Sequence, residues 1–358
     1  MASPFARRSQ FPPELVDSVI DHNHADRPTL KICALVSRQW TASSRFHLFS
    51  RVVVAHDNAR EFIQLLSSPH CTVASAVQDL AFQFVSGSQR WFSEFSRRLS
   101  YLDKTTNITS LDIPGAPGAL IREEVQTALL AFSGQIKTLS FGPVVFESFK
   151  DFARLLCAFR ALESLSCACT YRTRATGHVE NQVLRLRLMG ILRQVKLVSP
   201  STKPVLDFLL LQGVGGSPVL PTMASLSLSY LTVEDYPPLT RYLGTPNNNL
   251  QSLTIKMDNN VSGTNIDTLA ESLNLAQLRV LQILCIDTIP LLSPDQALNL
   301  LSWITSQQFA NLEISVALIQ GIAGLDILLG GDQFHALQKV KSLGRPGIKF
   351  VSSSPVAT

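Results

Sequence analysis

Short segments that share one pattern of apolar and polar positions recur along most of the chain. Each segment has an apolar residue, two mostly polar residues, a leucine or similar residue, one variable position and a second apolar residue, as in ITSLDIP at 108–114. Alternation of this kind predicts short strands with one buried side. LQKVKSL at 337–343 is a candidate for one more unit. The central residues are Leu80, Leu111, Leu139, Leu165, Val195, Leu226, Leu253, Leu281 and Leu312.

Segments with helical spacing lie between these predicted strands, for example at 122–132, 148–159, 265–276 and 293–304. One strand and one helix about every 29 residues is typical of the longer leucine-rich repeats. Units of this size bury their apolar side only by stacking on their neighbours. A doubly wound sheet also alternates strand and helix. We favour an irregular repeat solenoid, with parallel strands on its concave side and helices outside, because the period is narrow and the strands share one template.

The first fifty residues follow a different pattern. Pro12 and Pro13 precede a helical segment, as proline does at helix starts. A second helix is predicted to contain LKICALVSRQW at 30–40, which is apolar on two sides. A helix apolar on two sides must meet two surfaces, and three short helices bury little surface by themselves. A switch to β-branched residues near Val52 predicts the first strand.

The segments FPPEL at 11–15, VI at 19–20 and CALVSRQW at 33–40 together resemble an F-box. The sequence of this stretch is especially similar to that of the F-box proteins of mushroom-forming fungi. Repeats commonly accompany the F-box in such proteins. The resemblance implies binding to the Skp-type adaptor of a cullin–RING ubiquitin ligase of the SCF type, with the repeats receiving a target protein. We therefore predict an F-box-like helical module at 10–52, a degenerate leucine-rich-repeat region at 53–345, and flexible tails at 1–9 and 346–358.

The resemblance also implies which side chains contact the adaptor. Within the second helix, we assign Val36 and Trp40 to the partner face, and Ile32 and Leu35 to the core of the chain itself. Asn23 stands where the family usually has a leucine, a departure that weakens packing or docking. The predicted adaptor-binding residues are Phe11, Pro12, Leu15, Val19, Ile20, Val36 and Trp40.

Composition and charge narrow the function classes. The 358 residues are 46% hydrophobic and 16% charged, which excludes global disorder, and the net charge of +4 does not indicate a nucleic-acid partner. Six cysteines without a framework spacing, and no secretory signal at the start, favour a reducing compartment, the cytoplasm or nucleus. The stretch 160–203 is basic, and an insertion in it is a candidate loop for binding an acidic peptide, a phosphopeptide or a nucleic acid. The alternative, which is favoured for any single residue, is a solvated loop with dispersed charge. The candidate loop residues are Arg172, Arg174, Arg185 and Arg187.

Catalytic and metal-binding patterns are sparse. The HNH triplet at 22–24 reads as a solvated helix end, the CAC triplet at 167–169 as core thiols, and GVGGSP at 213–218 as a loop. We expect no catalytic residue, cofactor or metal, and we interpret the apolar run at 314–331 as a buried segment rather than a membrane span. Two alternatives stay open: a repeat scaffold with no link to a ligase, and a small enzyme with an irregular βα fold.

Overall fold

The structure of the chain is a computed structural model. The described residues are 11–83, 95, 107–115, 118–130, 132–173, 192–211, 223–245, 248–257, 273, 275–287, 299–314, 336–337 and 339–342. They form a mixed α/β structure with a mostly parallel sheet and several helices. The predicted tails at 1–9 and 346–358 lie outside these residues, as does most of the helix predicted at 265–276.

Eight α-helices have bounds within the described residues. They are α1 (Pro13–His22), α2 (Arg27–Val36), α3 (Arg38–Ser50), α4 (Ala59–Ser67), α5 (Glu123–Leu130), α6 (Phe149–Ala158), α7 (Thr202–Leu211) and α8 (Tyr236–Leu243). Three short 3₁₀-helices accompany them, at Ala74–Ala76, Val233–Asp235 and Leu275–Gln277. The helices predicted at 122–132 and 148–159 are confirmed as α5 and α6.

The strands of the described residues belong to two sheets. They are β1 (Arg51–Val54), β2 (Asp79–Phe82), β3 (Ser110–Ile113), β4 (Ala119–Leu120), β5 (Thr138–Phe141), β6 (Val144–Ser148), β7 (Ser164–Cys167), β8 (Thr170–Thr173), β9 (Gln194–Val198), β10 (Ser225–Ser229), β11 (Ser252–Lys256), β12 (Ile283–Asp287), β13 (Asn311–Ile314) and β14 (Lys339–Ser342). The first strand begins at Arg51, next to the position that the sequence predicts.

The main sheet places its strands in chain order. Eleven strands of the described chain follow one another as β1-β2-β3-β5-β7-β9-β10-β11-β12-β13-β14. Every pairing is parallel, and each strand therefore joins the next through a crossover connection. Strand order that never reverses means that the sheet grows by one strand at one edge with each successive unit.

The register of the main sheet aligns the recurring leucines into one row. The row runs across the strands as Val52, Leu80, Leu111, Leu139, Leu165, Val195, Leu226, Leu253, Leu284, Leu312 and Val340. One predicted centre is wrong: Leu281 precedes β12, and Leu284 pairs with Leu253 instead. The stretch LQILCID fits the same template as LRVLQIL, three residues later, which is why the pattern did not separate the two registers.

Within the described residues, one side of the main sheet is packed more closely than the other. In β3, β5 and β9, the residue of the leucine row and the residue two positions later are buried, whereas the residues between them are half-buried or exposed. Parallel sheets usually have both faces covered and read as continuous apolar runs. Among the described residues, the alternation in this chain instead leaves one face of a parallel sheet partly exposed to solvent, and we call this the open face.

The buried side of the sheet and the helices form one large core. Strand residues such as Leu226 and helix residues such as Phe152 and Leu206 belong to a single cluster that extends from Val54 to Leu312. Aromatic rings strengthen its middle part, where Phe146 and Phe152 meet edge to face with centroids 5.3 Å apart. This core is formed by contacts between successive strand–helix units rather than within any one unit.

A second, three-stranded parallel sheet joins three consecutive units outside the main sheet. Its order is β4-β6-β8, and Val145 pairs with Thr170 within it. The strands have two to five residues. The sequence did not predict this sheet, because strands so short carry too few positions to show a period.

Candidate functional site

The three N-terminal helices have a very small core of their own. Helix α3 packs against both α1 and α2. The fully buried apolar side chains of this helical module, residues 11–50, form a cluster separate from the large core. Its buried members are Val16, Ile20, Leu30 and Leu48, and Ala34, Trp40 and Phe49 pack on it while partly exposed.

The stretch 30–40 is not one helix. Helix α2 ends at Val36, Ser37 adopts an extended backbone with φ −159° and ψ 162°, and α3 begins at Arg38. Trp40 therefore belongs to α3, so its direction is not related to that of Val36 by a helical period. The prediction of a single helix with two apolar sides is wrong. The break at Ser37 divides the apolar residues of this stretch between two helices.

Helix α2 turns its apolar residues outward as well as inward. Leu30 and Cys33 are buried, but Leu35 is 87% exposed and Ile32 65% exposed. The assignment of Ile32 and Leu35 to the chain's own core is therefore wrong. Spacing of three and four residues puts Ile32, Leu35 and Val36 on one side of the helix. This side of α2 is an exposed apolar face.

Helix α1 carries a second group of exposed apolar residues. Phe11, just before the helix, is 65% exposed, and Leu15 and Val19 are each about half exposed. Gln39 Nε2 donates to the backbone carbonyl oxygen of Phe11 at 2.8 Å. This bond holds the start of α1 beside the α2–α3 junction, close to the end of the exposed side of α2. We call Phe11, Leu15, Val19, Ile32, Leu35 and Val36 together the apolar face.

The predicted adaptor-binding residues divide into three groups. Phe11, Pro12, Leu15, Val19 and Val36 are exposed. Trp40 is half-buried and packs on the module core. Ile20 is fully buried in that core, so its assignment to a contact surface is wrong. It follows Val16 by four residues and lies on the side of α1 that faces α3, about 100° or more around the helix from the exposed Leu15 and Val19.

Asn23 has a local role that explains its presence. It ends α1, and its side-chain Nδ2 donates to the carbonyl oxygen of Val19 at 2.7 Å, while its backbone N–H bonds to Ile20. Carbonyl groups in the last turn of a helix have no partner within the helix. Asn23 therefore caps α1 in place of the apolar contact that a leucine would make there.

Hydroxyl groups line the open face of the main sheet. The side chains between the buried rows are small and polar over several neighbouring strands, so the backbone there is approachable from solvent. Near the β1 edge, Arg51, Asp79 and Asp112 border a cavity of about 210 Å³. Lys196 and Gln194 on β9 are exposed in the middle of the face. The hydroxyl residues are Ser110, Thr138, Ser140, Ser164, Ser166, Ser225, Ser227, Ser252 and Thr254.

The predicted basic loop is only partly described. Arg172 lies on β8 and is paired with Glu147 of β6, with Nη1 and Oε1 3.2 Å apart. Both side chains are more than half exposed, and surface pairs of this kind contribute little to stability. Arg174, Arg185 and Arg187 lie outside the described residues.

The cysteines of the described residues form no disulfide bonds. Cys167 and Cys169 are fully buried, and Ser201 donates its hydroxyl hydrogen to the carbonyl oxygen of Cys169 at 2.7 Å. Burial raises the pKa of the Cys157 thiol to about 11, and burial followed by the neighbouring Cys167 raises that of Cys169. A thiol with a raised pKa stays protonated at neutral pH and is a poor nucleophile.

The HNH triplet is a helix end with local bonds. His24 lies 2.7 Å from the carbonyl oxygen of Asp21, and His47 Nε2 donates to the carboxylate of Asp21 at 2.7 Å. In the part of the chain that the structure describes, no group of three or more histidine, cysteine, aspartate or glutamate side chains is arranged to hold a metal ion.

Comparison with known proteins adds no relative to this picture. A scan of the sequence against models of protein families gives no match, and a search of curated proteins gives none either. Over the described residues, no helix is both long enough and apolar enough to cross a membrane. The apolar run at 314–331 falls outside those residues from position 315 onward.

Proposed function

We propose that the chain is a substrate receptor of an SCF-type cullin–RING ubiquitin ligase, in which the helical module is an F-box that binds a Skp-type adaptor. The region from β1 onward is then a degenerate leucine-rich-repeat solenoid, and its open face receives the target protein. The chain has no catalytic role in this proposal, since ubiquitin transfer takes place on the partner enzymes, and it works in the cytoplasm or nucleus.

The observation that carries the proposal is the apolar face. Leaving a Leu, Ile, Val or Phe side chain in water forgoes about 1.5–3 kcal/mol of burial free energy. The module exposes seven such side chains, six of them in the apolar face, while it buries only four. Exposed apolar groups gathered in one small helical module mark interaction sites. Phe11, Leu15 and Val36 are also residues that the F-box resemblance assigns to the adaptor.

The open face supports the second half of the proposal. Parallel strands in chain order, each followed by a crossover, are the arrangement expected of stacked repeats. Small hydroxyl side chains leave room for a partner to approach the sheet, and they offer both donors and acceptors. Repeat proteins use such extended faces for binding, so we propose that the target contacts the hydroxyl rows between β3 and β11.

The competing function is a repeat scaffold that never engages a ligase. Under that alternative, the apolar face is covered by a partner other than the adaptor. The sheet region has a continuous core without the module, which is the feature that favours this alternative. The adaptor itself therefore decides between the two functions.

The test measures binding of the purified full-length chain to the Skp-type adaptor by calorimetry. We expect the double variant Leu15→Asp with Val36→Asp to bind at least tenfold more weakly, because each change puts a charge into a desolvated contact. Both side chains are exposed in the free chain, so the fold should survive, and circular dichroism checks this. Leu65→Asp, on the exposed side of α4, is the matched control and should bind normally.

Two results would contradict the proposal. One is an adaptor that does not bind the unaltered chain, which favours the scaffold. The other is a double variant that binds as tightly as the unaltered chain, which removes the apolar face from the interface.

A further inference from the structure

A cleft separates the helical module from the first units of the sheet region. It measures about 430 Å³. One wall is α3, with Arg38, Arg45 and Phe46. The opposite wall is the segment that contains the 3₁₀-helix Ala74–Ala76 and the preceding Thr72. Pockets that hold small ligands have volumes of about 300–1,000 Å³, so this cleft is large enough for one.

The two arginines lie on one side of α3. They are seven residues apart, which corresponds to almost two full turns and about 10 Å along the helix axis. Both guanidinium groups therefore border the same opening. Arg45 Nη1 contacts Thr72 Oγ1 across the cleft at 3.4 Å, and Arg38 has no hydrogen-bond or ion-pair partner among the described residues. The small residues Ala42 and Ala76 leave the space between the walls open.

The positive charge of the cleft is not neutralised by its walls. No carboxylate is among the described residues that line it. The carboxylates of α1 that contact α3 are those of Asp17 and Asp21, and they are bound by Ser43 and His47. At about 100° per residue, Ser43 and His47 fall on the side of α3 opposite to the arginines.

The polar groups available in the cleft are mostly donors. A guanidinium has five N–H donors and no acceptor, and it binds phosphate oxygens through paired bonds. Among the other polar groups, Thr41 already donates its hydroxyl hydrogen to the carbonyl oxygens of Ala34 and Ser37, and the carbonyl of Ser75 accepts from Asn107. A peptide backbone needs acceptors as well as donors, whereas phosphate oxygens need donors alone.

An aromatic ring completes the site. Phe46 is 41% exposed at the edge of the cleft, one residue beyond Arg45. An exposed ring beside guanidinium groups can stack on a planar part of a ligand. We propose that the cleft binds a small organic molecule that carries a diphosphate or two phosphate groups, with the phosphates on Arg38 and Arg45 and a planar group on Phe46.

Occupation of the cleft has a mechanical consequence. Its walls belong to the helical module on one side and to the sheet region on the other, so a ligand contacts both. Since a ligand that binds only the folded arrangement stabilises it, the bound molecule fixes the position of the module relative to the sheet. This inference does not depend on the adaptor and holds under either function considered above.

The experiment titrates the full-length chain with ADP, AMP, pyrophosphate and a doubly phosphorylated peptide, by calorimetry and thermal melting. We expect one equivalent of ADP to bind and raise the melting temperature, with AMP binding at least fivefold more weakly. Arg38→Gln with Arg45→Gln should weaken ADP binding at least tenfold. Arg154→Gln, an exposed arginine on α6 outside the cleft, is the matched control and should leave binding unchanged.

A second variant tests the ring separately. Phe46→Ala should weaken ADP at least threefold and leave pyrophosphate unchanged. The proposal is overturned if ADP shows no saturable binding, or if the double glutamine variant binds it as well as the unaltered chain. Binding of the phosphorylated peptide without binding of ADP or pyrophosphate would also overturn it, since the cleft would then accept a macromolecular segment.

Discussion

The helical module and the sheet region bury their apolar residues in different ways. Each strand–helix unit of the sheet region buries its leucine row against two neighbours, and the result is one core from Val54 to Leu312. The module has no such neighbours for α1 and α2, and its four buried side chains make a separate cluster. Apolar content alone therefore does not produce a core. Helix α2 is as apolar as many sheet segments, yet half of its apolar residues are exposed to solvent.

The contrast has an energetic consequence. Disruption of the large core should affect a cooperative transition that involves most of the chain, because each unit depends on the next. Disruption of the small cluster should affect the module by itself, since α3 touches the sheet region through few elements, namely β1 and the 3₁₀-helix Ala74–Ala76. The predictions below test this separation.

The largest effect is expected for Leu226→Ala in β10. Leu226 is fully buried, and it pairs with Val195 and Leu253 in the middle of the leucine row. Loss of its side chain leaves a cavity and should lower the free energy of unfolding of the main transition by about 2–5 kcal/mol. Urea denaturation measures the change. Ser227→Ala, the next residue on the open face, should change it by less than about 0.5 kcal/mol, and equal effects would contradict the one-sided sheet.

Ile20→Ala should unfold the helical module selectively. Ile20 is one of only four fully buried side chains in the module core, so no other contacts compensate for it. Hydrogen exchange should accelerate by about tenfold or more at the amides of α1 to α3, and should stay the same in β9 to β11. Val19→Ala, the exposed neighbour, should have a much smaller effect. Faster exchange across the main sheet would show that the two regions unfold together.

Gly142→Ala should destabilise the sheet region by about 1–3 kcal/mol, because it forces a group into space that is already filled. A Cβ atom at Gly142 would lie 2.0 Å from the carbonyl oxygen of Pro114 in the neighbouring unit. Thermal melting measures the loss. Gly134→Ala is the control, since a Cβ atom there meets nothing within 4 Å, and a larger loss for Gly134→Ala would contradict the close stacking of units.

The smallest effect concerns the start of α2. Asp26 accepts from the hydroxyl and the backbone N–H of Thr29, at 2.6 and 3.2 Å, and these bonds lower its pKa from the ordinary value of 3.8. Because the pKa of Asp26 is lower in the folded chain than its ordinary value, the ionised carboxylate stabilises the folded state above pH 3.8. This contribution is lost as the pH falls below 3.8. The protection factors of the α2 amides, which are corrected for the intrinsic pH dependence of exchange, should therefore fall as the pH is lowered. Asp26→Asn keeps the cap and should remove this dependence; its persistence would assign it to another group.

The sequence allowed much of the main sheet to be predicted, because strand alternation and unit spacing are local properties. The leucine row from Leu80 to Leu253 was found in this way. The register at β12 was not, since Leu281 and Leu284 both fit the template. The three-stranded sheet had no detectable pattern, because its strands are too short.

The candidate site was harder to predict than the fold. Exposed Leu15 and buried Ile20 belong to the same kind of apolar segment, and only packing on α3 distinguishes them. The break at Ser37 was hidden by continuous apolar content, so Trp40 was assigned to the wrong helix. The cleft with Arg38 and Arg45 was missed because its second wall comes from residues about 30 positions further along the chain, although their spacing of seven on one helix was a visible signal.

The central claim is that the apolar face of the helical module is the docking surface for the adaptor. Hydrogen exchange of the full-length chain, measured with and without the Skp-type adaptor, tests it most directly. Amides of α1 and α2 should exchange much more slowly in the presence of the adaptor, whereas those of β9 to β11 should not change. Protection at the open face of the sheet without protection of α1 and α2, or no protection at all, would contradict it.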